Sequence, residues 1–414
     1  MNETIDTVII GGGQAGLSVS ACLTQLGRPH IVLERAAEIG SAWRHQRWDS
    51  FTLVTPNWMI QLPHGAYAGP DPNGFMQRDE VVAYLEQYVA RLGLPVRTGC
   101  AVSAVDPQGG GFVVHTPTGD IASSNVVVAT GSFQSPKLPA CAHNVPEAIV
   151  QVHSSQYRNP QGLPPGAVLV VGSAQSGCQI AEELLESGRR VFLCVGTAGR
   201  LPRRYRGRDS MDWFHTVGGL DRTVDKLPSP KARFSGNPHL TGKNGGHTLN
   251  LHRLARDGVV LLGRLLDVQA GRVELAPDLK ENLARVDKFE ADTLKQFDDY
   301  IAAHGLDAPT EDVPHLQDGF GCDLITQLDL AEAGISAIVW ATGFSYDYRF
   351  VRLPVFDDAG YPIQTRGATT YPGLYFVGLH WLHKAKSTLL LGVGEDAQAV
   401  ADFIAGRAPI KPAV

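Results

Sequence analysis

Residues 5–16 read IDTVIIGGGQAG and residues 166–178 read GAVLVVGSAQSGC. In both, an apolar run meets a small-residue turn and then a helical pattern, and the first glycines of the two turns, Gly11 and Gly172, stand 161 residues apart. An apolar strand entering such a turn and leaving as a helix is the opening of a doubly wound βαβ unit. Outward from the first turn, residues 7–10 read as a strand, 15–26 as a helix stopped by Gly27, and HIVLE (30–34) as the next strand. The second turn repeats this, with AVLVV (167–171), a helix over 178–186, Gly188 as stop, and RVFLCV (190–195). The expected fold is α/β, with two Rossmann-like dinucleotide-binding domains.

Each turn residue has a physical reason. Gly11 permits the tight turn, Gly13 lets a pyrophosphate approach the backbone, and Gly16 lets helix and strand pack, with Gln14 and Ala15 opening the helix toward the phosphates. Glu34, followed by Arg35, closes the next strand 18 residues after Gly16, where a carboxylate can bond ribose hydroxyls. The second turn, Gly172-Ser173-Ala174-Gln175-Ser176-Gly177, has a methyl at its middle position. No acid ends the strand that follows. Instead VFLCVGTAGRLPRRYRGRD (191–209) offers Thr197, Arg200, Arg203 and Arg204. An acid there would repel a 2′-phosphate and guanidinium groups would bind it, so the second site is read as one for NADPH and the first as one for FAD. Two dinucleotides on one chain make sense if electrons pass between them.

Composition narrows the alternatives. A chain of 414 residues holds two or three domains, and a net charge of −6 argues against a polyanion-binding protein. The arginine run lacks interleaved aromatics, so nucleic acid is excluded as a partner. A polar start and no apolar run of about 18 residues predict a soluble, leaderless cytoplasmic protein with no membrane partner. Six scattered cysteines without a CxxC pair read as reduced thiols, with no metal site.

Elsewhere, 79–93 and 277–304 read as amphipathic helices, GFVVHT (111–116) and NVVVATG (125–131) as strands, and 395–404 as a closing helix. Between them the pattern weakens over about 205–275, where VDKLPSPKARFSGNPHLTGKNGG (224–246) reads as a long exposed loop or insertion, and the 205–255 insertion is expected to line the substrate pocket. The domain expectation is an FAD-binding domain from 1–160 and 330–414 and an NADPH-binding domain over 161–329, divided at the Pro/Gly-rich connector 157–166.

With both turns, Glu34 and the ATG turns Ala129-Thr130-Gly131 and Ala341-Thr342-Gly343 in view, the chain resembles the class B flavoprotein monooxygenases. Their signature FxGxxxHxxxY, with Trp last in Baeyer–Villiger members, is met in EAIVQVHSSQY (147–157) by His153 and Tyr157, while Glu147 and Ile149 replace Phe and Gly. The resemblance implies an NADPH-dependent monooxygenase that inserts one atom of O2 into a small-molecule substrate through a C4a-(hydro)peroxyflavin. Tyr157 favours N- or S-oxygenation over Baeyer–Villiger oxygenation of a carbonyl. It further implies Trp43, Arg47 and Thr55 beside the FAD, Asn57 near the reactive flavin edge, and His153 as a second catalytic candidate. Gly378 is expected against the FAD and Gly392 near the helix that points at the flavin, and the resemblance is compatible with a homodimer. An NADPH:flavin oxidoreductase without oxygen insertion, and a non-catalytic NADP(H)-sensing protein of a transport or regulatory system, share the same nucleotide motifs.

Overall fold

The computed structural model describes residues 3–407. Two sheets dominate it. The first has nine strands, its parallel core running Leu374–Phe376, Gly119–Val128, Glu3–Ile10, His30–Leu33, Val96–Arg97, with an antiparallel pair, Ala104–Gln108 and Gly111–Thr116, hanging from Gly119–Val128. The second is a five-stranded parallel sheet in the order Val150–His153, Ile335–Trp340, Ala167–Val171, Val191–Cys194, Val260–Leu262. Its strands are covered on both faces, and all five residues of Ala167–Val171 are buried, which is why they read as continuous apolar runs. Two strands of this sheet come from outside 161–329, so it reaches past the expected boundary at both ends. An apolar run such as SAIVW (336–340) carries no mark of which sheet it joins.

The helices follow the sequence pattern closely. Gln14–Gln25 and Gln175–Glu186 leave the two turns, Arg78–Leu92 carries a capping box from Gln77 and Glu80, and Leu279–His304 buries Leu283, Val286, Phe297 and Ile301. The segment read as an exposed loop differs. It folds into short helical turns whose last part buries His239, Leu240 and Thr241. Its apolar residues are too sparse to show a period, and Leu240 packs with Met59, Leu201, Met211 and Leu220 in a cluster of their own. Among the described residues no helix is long and apolar enough to cross a membrane, and no group of three or more His, Cys, Asp or Glu is arranged to hold a metal ion.

The repeat seen in the sequence is repeated in detail. Gly11 and Gly172 have φ of +111° and +102°, and a Cβ on either would stand 2.6 Å from a carbonyl oxygen, that of Ala129 or of Ala341. The two ATG turns therefore lie directly over the first glycine of each nucleotide turn. A methyl on Gly16 would overlap the Gly11 carbonyl oxygen, and one on Gly177 the Gly172 carbonyl oxygen. Gly13 has nothing within 4 Å of where its Cβ would be.

The closing helix Val393–Ala405 packs on Gln14–Gln25 and buries Asp396, which is 2% exposed and has one carboxylate oxygen without a hydrogen-bond partner. Burial pushes its carboxyl up to about 6 against a bond from Ser387, with Glu395 adding repulsion. The folded state then binds this proton more tightly than the unfolded chain, and stability falls as pH rises from about 4 to about 6.

Two outcomes follow. Gly177→Ala lowers unfolding free energy by about 1–3 kcal/mol through overpacking, whereas Gly13→Ala changes the apoprotein by under about 1 kcal/mol while reducing FAD content, both read by urea titration and flavin absorbance. Asp396→Asn gains on the parent by about 2–3 kcal/mol between pH 4 and pH 7; a difference that stays flat across that range refutes the buried-carboxyl account.

Candidate functional site

A single cavity of about 1700 Å³ joins the mouths of both turns. One ligand pocket commonly measures about 300–1,000 Å³, so this space suits more than one small group. On the first side its wall includes Gly11, Gly13, Gln14 and Ala15 from the turn, Glu34 and Arg35 from the strand end, and Thr130 from the ATG turn. Trp43, Arg47 and Thr55 stand on the same wall, with Gly378 from the C-terminal segment. On the second side Gln175 and Ser176 reach it from the helix start.

Several expected residues lie one layer back and act through the backbone. Gly16 and Gly177 are packing positions. Gly131, Gly172, Ser173, Ala174, Ala341, Thr342 and Gly343 build the turns behind the cavity wall, with Ser173 Oγ accepting the Gly196 N–H at 2.9 Å and Thr342 bonded to the Lys137 carbonyl. Gly392 is packed so closely on Lys386 that a side chain would collide with it.

The first turn fits FAD on its own geometry. Glu34 accepts the N–H groups of Gly12 at 2.7 Å and Ala36 at 2.8 Å, which fixes a carboxylate at the strand end. Gly13 caps the helix with no side chain and open space in front of it, leaving N-terminal backbone N–H groups for a pyrophosphate. Gln14 Nε2 donates to the Thr388 carbonyl at 2.6 Å and so ties this turn to the C-terminal segment. Arg47 stands over the rings of Phe133, Trp43 and Phe51 at 5.2, 5.3 and 5.6 Å. Desolvation there lowers its guanidinium to about 10.

Asn57 and His153, the two catalytic candidates, are buried away from the cavity wall. Asn57 clamps a loop, its Nδ2 donating to the Asp71 carbonyl at 2.9 Å and its Oδ1 accepting the Met76 N–H at 2.9 Å. The Nδ1 of His153 accepts the Ser155 N–H at 3.2 Å, so its Nε2 donates to the Gly343 carbonyl at 2.9 Å and braces the second ATG turn. Burial holds this imidazole below its usual range, favouring the neutral form. Tyr157 donates to Glu183 at 2.7 Å, inside the core.

Arg200 and Arg203 of the arginine run are also turned inward, while Arg204 is exposed. Arg200, 4% exposed, is held by Glu290 at 2.6 and 3.0 Å and by Asp287 at 2.8 Å. Arg203 is buried against Asp209 and over the Phe75 ring at 4.9 Å, and Arg204 donates to the Gly245 and Gly246 carbonyls. Thr197 is exposed. None of these four residues is on the cavity wall. A basic run in sequence shows charge, whereas the carboxylates that hold Arg200 sit about 90 residues away on the helix Leu279–His304, and the one that holds Arg203 is Asp209.

Sequence reasoning places pocket-lining residues in the 205–255 insertion but missed how that insertion is pinned as a lid. Leu220, Arg222, Thr223 and Gly236 line the cavity from it. That segment is bonded to the C-terminal stretch by Ala385 N–H to the Arg222 carbonyl and Val224 N–H to the His383 carbonyl, both 2.9 Å. Lys384 and Lys386 reach Asp221 at 2.8 and 2.9 Å, and their hydrogen bonds hold its carboxyl at about 2. Arg222 stands over the Trp381 ring at 5.0 Å. Gln134 was missed too: it bonds Thr130 Oγ1 at 2.9 Å and the Gly131 carbonyl at 2.8 Å while accepting from Asp347 N–H at 2.7 Å. Its signal was its place just after the ATG turn.

Comparison with known proteins agrees with this geometry. Residues 8–207 match the pyridine nucleotide-disulphide oxidoreductase family. The chain is 32% identical to an uncharacterized CzcO-like oxidoreductase of Geobacillus kaustophilus over 96% of this chain and 97% of that one. It is 30% identical to the indole-3-pyruvate monooxygenase YUCCA1 of rice, Oryza sativa, over 72% and 76% of the two chains. The fold is shared with the flavin-containing monooxygenase of Stenotrophomonas maltophilia at a TM-score of 0.65 and 21% identity, covering 97% of this chain and 98% of that one. With two nucleotide turns opening on one cavity and relatives of this kind along its length, the chain belongs to the class B flavoprotein monooxygenases.

Proposed function

We propose that this enzyme uses FAD at the first turn and a nicotinamide dinucleotide at the second to insert one oxygen atom from O2 into a small organic substrate. Amines and sulfides are favoured over carbonyl compounds, a preference that rests on Tyr157 in the closing place of the signature. The observation that carries the reading is the single cavity shared by Gly13, Glu34 and Gln175, which lets two cofactors meet without crossing solvent. When bound, the flavin supplies hydride acceptance and oxygen activation.

The protein's share is then binding, orientation and exclusion of water. Gly11–Ala15 and Glu34 anchor one end of the FAD, while Trp43, Thr55 and Gly378 border the space for the rest of it. The lid over 218–238, pinned through Asp221, separates the cavity from bulk water on one side. His380 is on the wall, and burial keeps its pKa below the usual range, so it favours the neutral form with Nδ1 3.5 Å from the Tyr346 hydroxyl. This gives the cavity a hydrogen-bonding group that need not carry charge. No thiol pair accompanies it: of six free cysteines among the described residues, five are buried, which disfavours disulfide exchange.

The test supplies the yellow holoenzyme with a nicotinamide nucleotide and 18O2 and offers amines, sulfides, ketones and a 2-oxo acid. One 18O atom per product molecule is the expected result. Reduction of the flavin followed by hydrogen peroxide release with every compound would instead identify a plain oxidoreductase, and no flavin reduction at all would identify a sensor.

A further inference from the structure

Resting on the reading of the second turn as a nicotinamide nucleotide site, we infer that this site does not select for the 2′-phosphate and takes NADH as well as NADPH. The register of the two units fixes where the ribose edge lies. Ile10 pairs with Leu33 in the first unit and Val171 with Cys194 in the second, so Val195 stands where Glu34 stands. Val195 is buried and apolar, and the residues after it are Gly196, Thr197, Ala198 and Gly199. The strand end therefore offers neither the acid that rejects a 2′-phosphate nor the cation that holds one.

The first cation beyond it is Arg200, and its charge is already spent. Glu290 and Asp287 both engage it, and Asp287 also meets Nε2 of His252 at 3.1 Å, whose Nδ1 accepts the Gly319 N–H at 3.0 Å. That leaves one guanidinium against two carboxylates, a net negative group. Its Nη1 alone has no hydrogen-bond partner, but Arg200 is 4% exposed and off the cavity wall, so clasping a phosphate from the cavity means swinging the guanidinium away from Glu290, whose side chain is 6% exposed, and leaving a buried carboxylate unpaired. The wall in front of this group is Gly199, Phe289 and Thr293, with no positive charge. Gly236 closes on Ala174 and Ala198, where a Cβ on it would meet their methyls at 3.5 and 3.4 Å. The cation of the lid nearest in sequence to this contact, Arg233, is on the cavity wall but is held over the Tyr361 ring at 4.2 Å, and Lys231 is exposed and off the wall.

A charge-assisted clasp of the 2′-phosphate is worth about 10- to 100-fold in affinity. The test measures anaerobic flavin reduction of the holoenzyme by NADH and by NADPH, with inhibition by 5′-AMP and 2′,5′-ADP as a readout independent of hydride transfer. The expected result is a kcat/KM ratio of NADPH to NADH below about tenfold and comparable inhibition by the two adenosine nucleotides. Thr197→Arg, an exposed position, should then raise that ratio by about tenfold and strengthen 2′,5′-ADP. A parent enzyme preferring NADPH by about tenfold or more, or a Thr197→Arg variant with an unmoved ratio, overturns the inference while leaving the nucleotide site intact. A flavin reduced by neither nucleotide overturns the underlying reading of the second turn as well.

Discussion

The contact between a glycine carbonyl and a glycine without a side chain governs this molecule twice. Because Gly16 has no Cβ, the helix that begins at Gln14 can sit against the Gly11 carbonyl, and Gly177 does the same against Gly172. That closeness aims the first backbone N–H groups of each helix at the space beyond the strand ends, where a phosphate is bound by dipole and hydrogen bond together. An ATG turn then lies on the first glycine of each unit, near enough that its carbonyl forbids a side chain there. Everything functional is placed relative to these two stacks.

The two units are not equivalent copies. In the first, the strand ends in a carboxylate fixed by two backbone donors, and the space in front of Gly13 is open. In the second, the strand end is apolar, the middle turn residue carries a methyl, and a lid segment rests on that methyl. The first turn is open toward the cavity, whereas the second lies under the lid segment.

This difference sets what was legible in the sequence. The glycines, Glu34 and the apolar strands could be read because each is a local consequence of backbone geometry: φ above zero, close approach, or burial on both faces. Helix limits were legible from apolar spacing to within about three residues. Asn57, His153 and Arg200 stand off the cavity wall for one shared reason, that the partner holding each is remote in sequence. Asn57 is consumed by Asp71 and Met76, His153 by Gly343, and Arg200 by Glu290. The attachment of the lid was missed because its apolar residues fall on turns and show no period, and their burial is uneven, Leu220 being buried while Phe234 is 47% exposed.

The lid also explains how a cavity this large is kept from being an open cleft. Its attachment is to the C-terminal stretch 379–390, which itself reaches the first turn through Gln14 and Thr388. Asp221 is the joint: two lysines meet it, and both lysines also meet Glu395 at the start of the closing helix. A partly exposed cluster of this sort is weaker than a buried pair and is screened by salt. It holds the lid segment against the start of the closing helix. The covalent origin of the lid in the second unit, and its non-covalent attachment to the first, couple the covering of one nucleotide site to the segment that borders the other.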